Sequence, residues 1–421
     1  MSEIAVEQLA SRLSQLPSVQ RSNTGPVGNV DAVDGGFPTE MRYLMSTHRL
    51  NADEAAEQML AQDAASVASE WLAEELGHDS RLGGMWIDHD QGGRLVVAVT
   101  DIELGNQIVA ATSDLMTIET KVVSATESDL EATFGSAVKL LDLVDTESRK
   151  GSGVPYYTVS VELQDGRVII GQSSLAPDEF RRKSNALANN PLVIVEDLGP
   201  VVFERGGDAC PTSGCGNELG AISAHADGKL CSIGFTASHD YGGLGYSGYL
   251  LSAGHCAADN GDLVRHGNSS GPIMGAQSWE QDSGSVDASI INNVAGTMTQ
   301  DQGNIWRSDD SSWPIYGTYT RERVPLGKIY CRSGYKGEAC GYLISKTISR
   351  NGNTNVGRLE HTSACPGDSG GPVFDPRTHY AVGLHQSSAN SAYCTSWEDS
   401  YFTFISEFQA VVPTIYVDIA R

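Results

Sequence analysis

The chain has 421 residues, of which 40% are hydrophobic, and its formal net charge is -25 at pH 7. A chain of this length is too long for one ordinary hydrophobic core, so we expect two or three domains. Both halves are acidic, and because an acidic surface repels phosphate backbones, the composition argues against nucleic-acid binding. No stretch of the sequence approaches the ~20 apolar residues of a membrane span, so we expect a soluble protein that does not bind membranes.

The first residues, Met1 to Ala10, have neither the basic nor the apolar region of a signal peptide. The residues that follow are rich in Gly, Pro and Asn, a composition typical of a loose segment. We therefore expect residues 1–45 to be a loose N-terminal segment.

Residues 46–205 are predicted to form a mixed α/β region. A capping box at Asn51 to Glu54 and apolar residues at helical spacing predict a helix over 52–76. Two strands are predicted between 85 and 99, and Asp165-Gly166 predicts a hairpin. This region contains no arrangement typical of a metal site or an activated nucleophile.

All eight cysteines lie between Cys210 and Cys394, so we place a domain boundary near residue 205. An even number of cysteines without the spacing of a zinc site favours disulfides and an oxidising compartment, with buried free thiols as the alternative. Four disulfides are hard to explain in a reducing cytosol, so we expect secretion although no signal peptide is visible. Order and spacing suggest the pairs Cys231–Cys256, Cys331–Cys340 and Cys365–Cys394, and by exclusion Cys210–Cys215.

Residues 206–421 consist of short apolar runs separated by Gly, Ser, Asn and Asp, with almost no helical periodicity. This pattern is typical of an all-β barrel or sandwich. One short helix is predicted near Ser406 to Val412. We expect the second half of the chain to be an all-β domain.

The strongest motif is Gly367-Asp368-Ser369-Gly370-Gly371-Pro372, which predicts Ser369 as a nucleophile. A serine hydroxyl needs a base for its proton and donors for the oxyanion that forms on the attacked carbonyl. Glycines on either side allow a tight turn with amides pointing into that space. The amides of Gly367 and Ser369 are the expected oxyanion-hole donors.

The base is expected at His255, which follows a predicted strand and precedes Cys256. Asp287, at the start of an apolar strand, is the expected carboxylate that holds the imidazole in the right tautomer. Taken singly, each is more often a packed or surface residue. Their order along the chain, together with Ser369, predicts a catalytic triad.

These motifs resemble the chymotrypsin superfamily. Cys231-Ser-Ile-Gly-Phe235, Cys331-Arg-Ser-Gly334 and Ser400-Tyr-Phe-Thr-Phe-Ile405 resemble its bacterial streptogrisin and alpha-lytic endopeptidase branch. The helix at 52–76, Gly84-Met-Trp86 and Leu95-Val-Val-Ala-Val-Thr-Asp101 resemble the pro-region of that branch. The resemblance covers roughly residues 45–421.

The resemblance implies a precursor in which residues 46–205 are a pro-region that assists folding and then inhibits. It implies that residues 206–421 form two six-stranded antiparallel β-barrels with the triad at their junction. Arg332 matches the arginine that, in this branch, pairs with the aspartate beside the nucleophile, which is Asp368 here. No metal or organic cofactor is implied, and we expect a monomer that cleaves proteins or peptides.

The resemblance also bears on the side chain that precedes the scissile bond. Ser363 stands where trypsin-like enzymes carry an aspartate, so a basic side chain would find no fixed partner. His385 and Ser388 stand where glutamate-cleaving relatives carry a histidine and a serine, and both can bind a carboxylate. Pro366 departs from those relatives, which place a hydroxyl there, and His385 could instead hydrogen-bond inside the barrel.

The maturation site would report this preference. A glutamate-preferring enzyme that cuts itself free would leave Arg205 as the new N-terminus, whereas a chymotrypsin-like pocket would cut after Phe203 and leave Glu204.

Two other interpretations are open. Gly367-x-Ser369-x-Gly371 also fits the nucleophile elbow of an α/β-hydrolase, with His379 or His385 as the base, although Gly-Gly-Pro-Val-Phe is a poor start for the helix which that fold requires. A secreted binding protein on the protease fold, with the pro-region as a permanent partner, is the second.

Overall fold

The structure is a computed structural model. It describes residues 3–16, 39–77, 79–148, 157–173, 176, 178–198, 223–226, 228–239, 246–257, 259–292, 303–306, 312–335, 337–350, 352–362, 364–388 and 399–420. The boundary predicted near residue 205 lies outside these residues, as do Ser363, Cys210, Cys215 and Cys394.

The first half of the chain is a mixed α/β region, as predicted. Its described helices are α1 (Glu3–Ser14), α2 (Thr39–His48), α3 (Ala52–Leu76), α4 (Ile102–Thr112), α5 (Glu127–Ser148) and α6 (Asp178–Leu187). Its described strands are β1 (Leu82–Asp88), β2 (Arg94–Val99), β3 (Ile118–Val122), β4 (Tyr157–Glu162), β5 (Arg167–Ser173) and β6 (Val193–Leu198).

Helix α3 begins and ends where the sequence predicts. The Asn51 side chain accepts hydrogen bonds from amides of the first turn, and the Asn51 amide donates to the Glu54 carboxylate at 2.8 Å, which completes the capping box. The helix ends at Leu76, before Gly77. Its buried Trp71 belongs to the hydrophobic core formed with the sheet β1–β2–β3.

The expectation of a loose segment over residues 1–45 is wrong for its beginning. Residues 3–14 form helix α1, in which Leu9 is fully buried in the same core as Trp71. Arg12 pairs with Glu74 of α3 at 2.6 Å. Burial of one apolar face against α3 stabilises this short helix. Residues 17–38 lie outside the described part.

The described part of the second half is a β domain with one short α-helix. Its described strands are β7 (Ser223–Ala226), β8 (Lys229–Ser232), β9 (Phe235–His239), β10 (Tyr246–Ser252), β11 (Leu263–His266), β12 (Ile273–Ser283), β13 (Val286–Asn292), β14 (Asn304–Trp306), β15 (Ser312–Pro314), β16 (Gly317–Thr318), β17 (Ile329–Gly334), β18 (Gly337–Arg350), β19 (Asn353–Leu359), β20 (Pro372–Asp375), β21 (Tyr380–Ser388), β22 (Ser400–Phe404) and β23 (Ile415–Val417). Helix α7 (Ile405–Val411) confirms the predicted C-terminal helix.

Two large sheets make up this domain. Six strands in the order β17-β20-β21-β22-β19-β18 form a closed barrel, because β18 also pairs with β17. The other sheet has the order β23-β9-β10-β13-β12-β11-β7-β8. Its eight described strands exceed the six expected, but the all-β character is confirmed.

The chain folds into two compact units that do not coincide with its two halves. One consists of the described parts of Met1–Leu130, Leu163–Gly166 and Pro325–Lys328, and the other holds the remaining described residues. In this second unit, β4 of the first half pairs antiparallel with β18, so that β4, β5 and β6 extend the barrel sheet. Each unit therefore contains segments from both halves of the sequence.

Two of the predicted disulfides are present, Cys231–Cys256 and Cys331–Cys340. Cys365 is also disulfide-bonded, and its predicted partner lies outside the described residues. Among the described helices, none combines the length and the apolar character needed to cross a bilayer.

Candidate active site

His255 and Asp287 are hydrogen-bonded to each other twice. His255 lies in the 3-10 turn Gly254–Cys256 after β10, and Asp287 lies on β13 with its side chain fully buried. Asp287 Oδ1 accepts from the His255 amide at 3.0 Å, and Oδ2 lies 2.8 Å from Nδ1 of the imidazole. Because an ionised carboxylate can only accept, Nδ1 carries the proton and Nε2 has the lone pair in the neutral ring.

Packing fixes the turn that carries His255. A Cβ on Gly254 would come within 2.0 Å of the Gln281 carbonyl oxygen, so only glycine fits between the turn and its neighbours. The Lys229 ammonium donates to the carbonyls of His255 and Ala257 at 3.1 Å each. The imidazole is therefore held from its backbone as well as from its ring.

Ser369 lies in a turn before β20 and is 1% exposed. Gly370 has φ +87°, and a Cβ there would meet the Ser232 carbonyl at 2.3 Å, so the close approach requires glycine. The Ser232 amide donates to the Ser369 carbonyl at 2.7 Å. A strand follows the serine, whereas the α/β-hydrolase interpretation needs a helix.

The Ser369 hydroxyl is hydrogen-bonded to a backbone carbonyl of strand β21. It donates to the Gln386 carbonyl at 3.1 Å. Cys256 Sγ lies 3.8 Å from His255 Nε2 and also 3.8 Å from the Ser369 carbonyl oxygen, so the two residues flank one sulfur atom.

The structure brings Asp368 and Arg332 together as the resemblance implies. Both side chains are at most 3% exposed, and Arg332 Nη1 donates to Asp368 Oδ2 at 3.0 Å. The Cys365 amide donates to the same oxygen at 2.8 Å. The carboxylate thus ties the start of the nucleophile turn to strand β17.

The two expected oxyanion donors have no described acceptor. Gly367 has φ +102°, and its carbonyl accepts from the Ser232 hydroxyl at 2.7 Å. Within the described part of the chain, no hydrogen bond uses the amides of Gly367 and Ser369. Two unused backbone donors in the turn that carries a serine are what an oxyanion hole requires.

Two of the three residues assigned to substrate selection, His385 and Ser388, lie along β21. His385 and Ser388 are at most 1% exposed, and the His385 backbone is bonded to both Gly370 and Gly371. Arg350, which sequence reasoning missed, donates to the Ser388 carbonyl at 2.8 Å, with its guanidinium 4.0 Å from the Tyr401 ring. His379, the other histidine offered as a base in the α/β-hydrolase interpretation, stacks on Trp313 with the two ring centroids 4.4 Å apart.

Asp282 is a second carboxylate beside the triad, and sequence reasoning also missed it. It pairs directly with Asp287 across β12 and β13, and Asn353 donates to it at 3.0 Å. Like charges directly opposite each other destabilise a sheet. Partial burial and the charge of Asp287 raise the pKa of Asp282, while Asn353 and His255 lower it. No sequence motif marks Asp282, because the strand register alone brings it to the triad.

Comparison with known proteins gives matches to bacterial proteases. Residues 53–111 match the family model described as "Alpha-lytic protease pro N-terminal". "Serine protease 1" of Rarobacter faecitabidus is 30% identical over 145 residues, which are 34% of this chain and 25% of that protein. The chain thus spans about a quarter of the length of this relative.

Two solved structures of serine proteases are also similar. A glutamic acid specific serine protease, whose description names a histidine triad in substrate binding, is 21% identical and has a TM-score of 0.39, covering 47% of this chain and 99% of its own. Thermobifida fusca protease A is 23% identical and has a TM-score of 0.38. The match covers 48% of this chain and 99% of that protease chain.

Replacement of Asp282 by asparagine is expected to move the acid limb of the kcat/KM profile to lower pH by a few tenths of a unit. The carboxylate stabilises the protonated imidazole of His255, and because the side chain is only partly buried, solvent screens the effect. Initial rates from pH 4 to 9 at two ionic strengths measure the shift, which should shrink in 1 M salt, about a 3 Å screening length. Asp262→Asn, another exposed acid, should leave the limb in place, and an equal shift in both variants would contradict a specific effect.

Proposed function

We propose that this chain is a bacterial serine protease made with an alpha-lytic-type pro-region, and that it is the precursor of a secreted endopeptidase. The observation that carries the proposal is the doubly bonded His255–Asp287 pair, which Cys256 Sγ connects to the Ser369 backbone through contacts of 3.8 Å on either side. The disulfides support an oxidising, extracellular location. Residues 46–205 act as the pro-region and residues 206–421 as the catalytic domain.

The proposed reaction is acyl transfer through Ser369. His255 Nε2 takes the hydroxyl proton as the serine oxygen bonds to the peptide carbonyl carbon, and the amides of Gly367 and Ser369 stabilise the oxyanion. His255 then gives the proton to the leaving amine, and the C–N bond breaks. Water, deprotonated by His255, attacks the ester, which releases the acid and restores the serine. Asp287 holds the imidazole and stabilises its charged form throughout.

Treatment of the mature protein with a serine-reactive organophosphonate is expected to add one phosphonyl group at Ser369. Intact-mass measurement and peptide mapping detect it. Ser369→Ala should take up no label and lose peptidase activity, and His255→Ala should label far more slowly because the base is missing. A folded mature domain that takes up no label after removal of the pro-region would favour the binding-protein alternative.

We further propose that the enzyme prefers glutamate before the scissile bond. His385 and Ser388 offer a donor ring and a hydroxyl at buried positions of β21. The guanidinium of Arg350, which donates to the Ser388 carbonyl, places a permanent positive charge beside this strand. A carboxylate removed from water needs such charge-assisted donors. Pro366 supplies no hydroxyl, so the pocket would depend on His385, Ser388 and the nearby guanidinium.

Peptide anilides that differ in the residue before the cut test this preference. The glutamate substrate is expected to be cleaved best, and His385→Gln should lower its kcat/KM about 10- to 100-fold, the worth of roughly 1.5–3 kcal/mol for a hydrogen bond to a charged group. The kcat/KM for the phenylalanine substrate should change little in this variant, and Ser387→Ala serves as the neighbouring control.

N-terminal sequencing should show that the mature protein begins at Arg205. A chain that begins at Glu204, with faster cleavage after phenylalanine, would contradict the glutamate preference but not the peptidase.

A further inference from the structure

We propose that Pro325–Lys328 is a docking segment through which the second half of the chain stays bound to the first half after cleavage. In this proposal, His89 makes the contact in its neutral form. The inference rests on the proposed function for the cut itself. Pro325–Lys328 belongs to the same compact unit as residues 1–130. Once the chain is cut near residue 205, no covalent link would join this segment to the rest of that unit.

Two hydrogen bonds hold the segment against strand β1. The Ile87 amide donates to the Leu326 carbonyl at 2.9 Å. The imidazole Nε2 of His89, directly after β1, lies 2.7 Å from the Gly327 carbonyl oxygen, and His89 is 7% exposed. Both bonds join residues of the first half to residues of the second half. Together, these two hydrogen bonds make one small contact whose polar groups are buried.

The close approach requires glycine at position 327. Gly327 has φ +79°, and a Cβ built there would lie 2.1 Å from the Ile87 carbonyl oxygen and 2.8 Å from its nitrogen. Any side chain would therefore push the segment away from β1. The segment is shaped to fit this strand.

The bonds of His89 define its protonation state. Gln58 Nε2 lies 2.9 Å from Nδ1 of the ring and also donates to the His89 carbonyl at 3.1 Å. Since an amide nitrogen can only donate, Nδ1 must accept, and the ring proton is on Nε2, where it is donated to Gly327. A second ring proton would face the Gln58 amide and break this arrangement.

The surroundings oppose a charge on His89. Burial lowers the pKa of His89 to about 3, the Gly327 carbonyl acts in the opposite direction, and His48 lowers it further. The His48 ring from α2 lies 6.2 Å away, with Asp90 3.8 Å from His48 Nδ1. Helix α3 contributes the neutral Gln58, and the docking segment contributes the buried cation Lys328 beside Gly327.

The sign of the pH dependence follows from this direction. A histidine whose pKa is depressed in the bound state and ordinary, about 6.5, in the separated state favours binding above pH 6.5. The binding is lost progressively as pH falls from 6.5 toward 3, at up to tenfold per pH unit. Between pH 7 and pH 5 this gives a loss of affinity of up to roughly 25-fold, because His48 and Gln58 stay beside the ring after separation.

The test uses the full chain with Ser369→Ala, so that no self-cleavage is needed, and with a recognition site for a sequence-specific protease inserted between residues 199 and 222. After cutting, the second half is immobilised and the release of the first half is measured from pH 5 to 7.5. With His89 present, the dissociation constant should rise more between pH 7 and 5 than in His89→Gln, by up to about 25-fold. The glutamine amide can donate to Gly327 and accept from Gln58 without titrating. His48→Gln should keep the pH dependence, since His48 makes neither bond.

An equal pH dependence in the chain with His89 and in His89→Gln would overturn the proposal. If His89→Gln does not fold, amide exchange of Ile87 in the uncut chain gives the same answer without that variant. After correction for intrinsic rates, Ile87 protection should fall from pH 7 to pH 5, and constant protection would overturn the proposal. Neither readout needs peptide hydrolysis, so the docking proposal and the peptidase proposal can fail independently of each other.

Discussion

The buried ion pair between Asp368 and Arg332 is the constraint on which the site depends. Removing one partner of such a pair leaves a buried charge uncompensated, typically at a cost of ~3–5 kcal/mol. Because Asp368 also binds the Cys365 amide, the pair fixes the turn that presents Gly367 and Ser369. The charge is satisfied within the domain by strand β17, so the shape of the turn does not depend on a new N-terminus created by cleavage.

The division of the chain into compact units adds a second constraint. Strands β4 to β6 of the first half extend the barrel sheet through β18, and Pro325–Lys328 of the second half pack with the first. Each half therefore completes hydrogen bonds that the other half leaves open at a strand edge. A first half that supplies such partners can stabilise the second while it folds.

Sequence motifs predicted the features that neighbouring residues define, and they missed the features that depend on strand register or on a distant partner. The pairing of His255 with Asp287, the capping box of α3 and two disulfides were predicted because their neighbours in sequence define them. Asp282, Arg350 and His89 were missed because each is a single polar residue whose role comes from a partner distant in the chain. Helix α1 was missed because the average composition of residues 1–45 hid one short amphipathic stretch.

The central claim is that three side chains act as one catalytic unit, and a kinetic cycle tests it most directly. Residual kcat/KM is measured for Ser369→Ala, His255→Ala and the double variant. Groups that act as a unit are strongly non-additive, so the double variant should be about as slow as either single one. Losses that multiply, with the double variant slower by the product of the two single effects, would contradict the account.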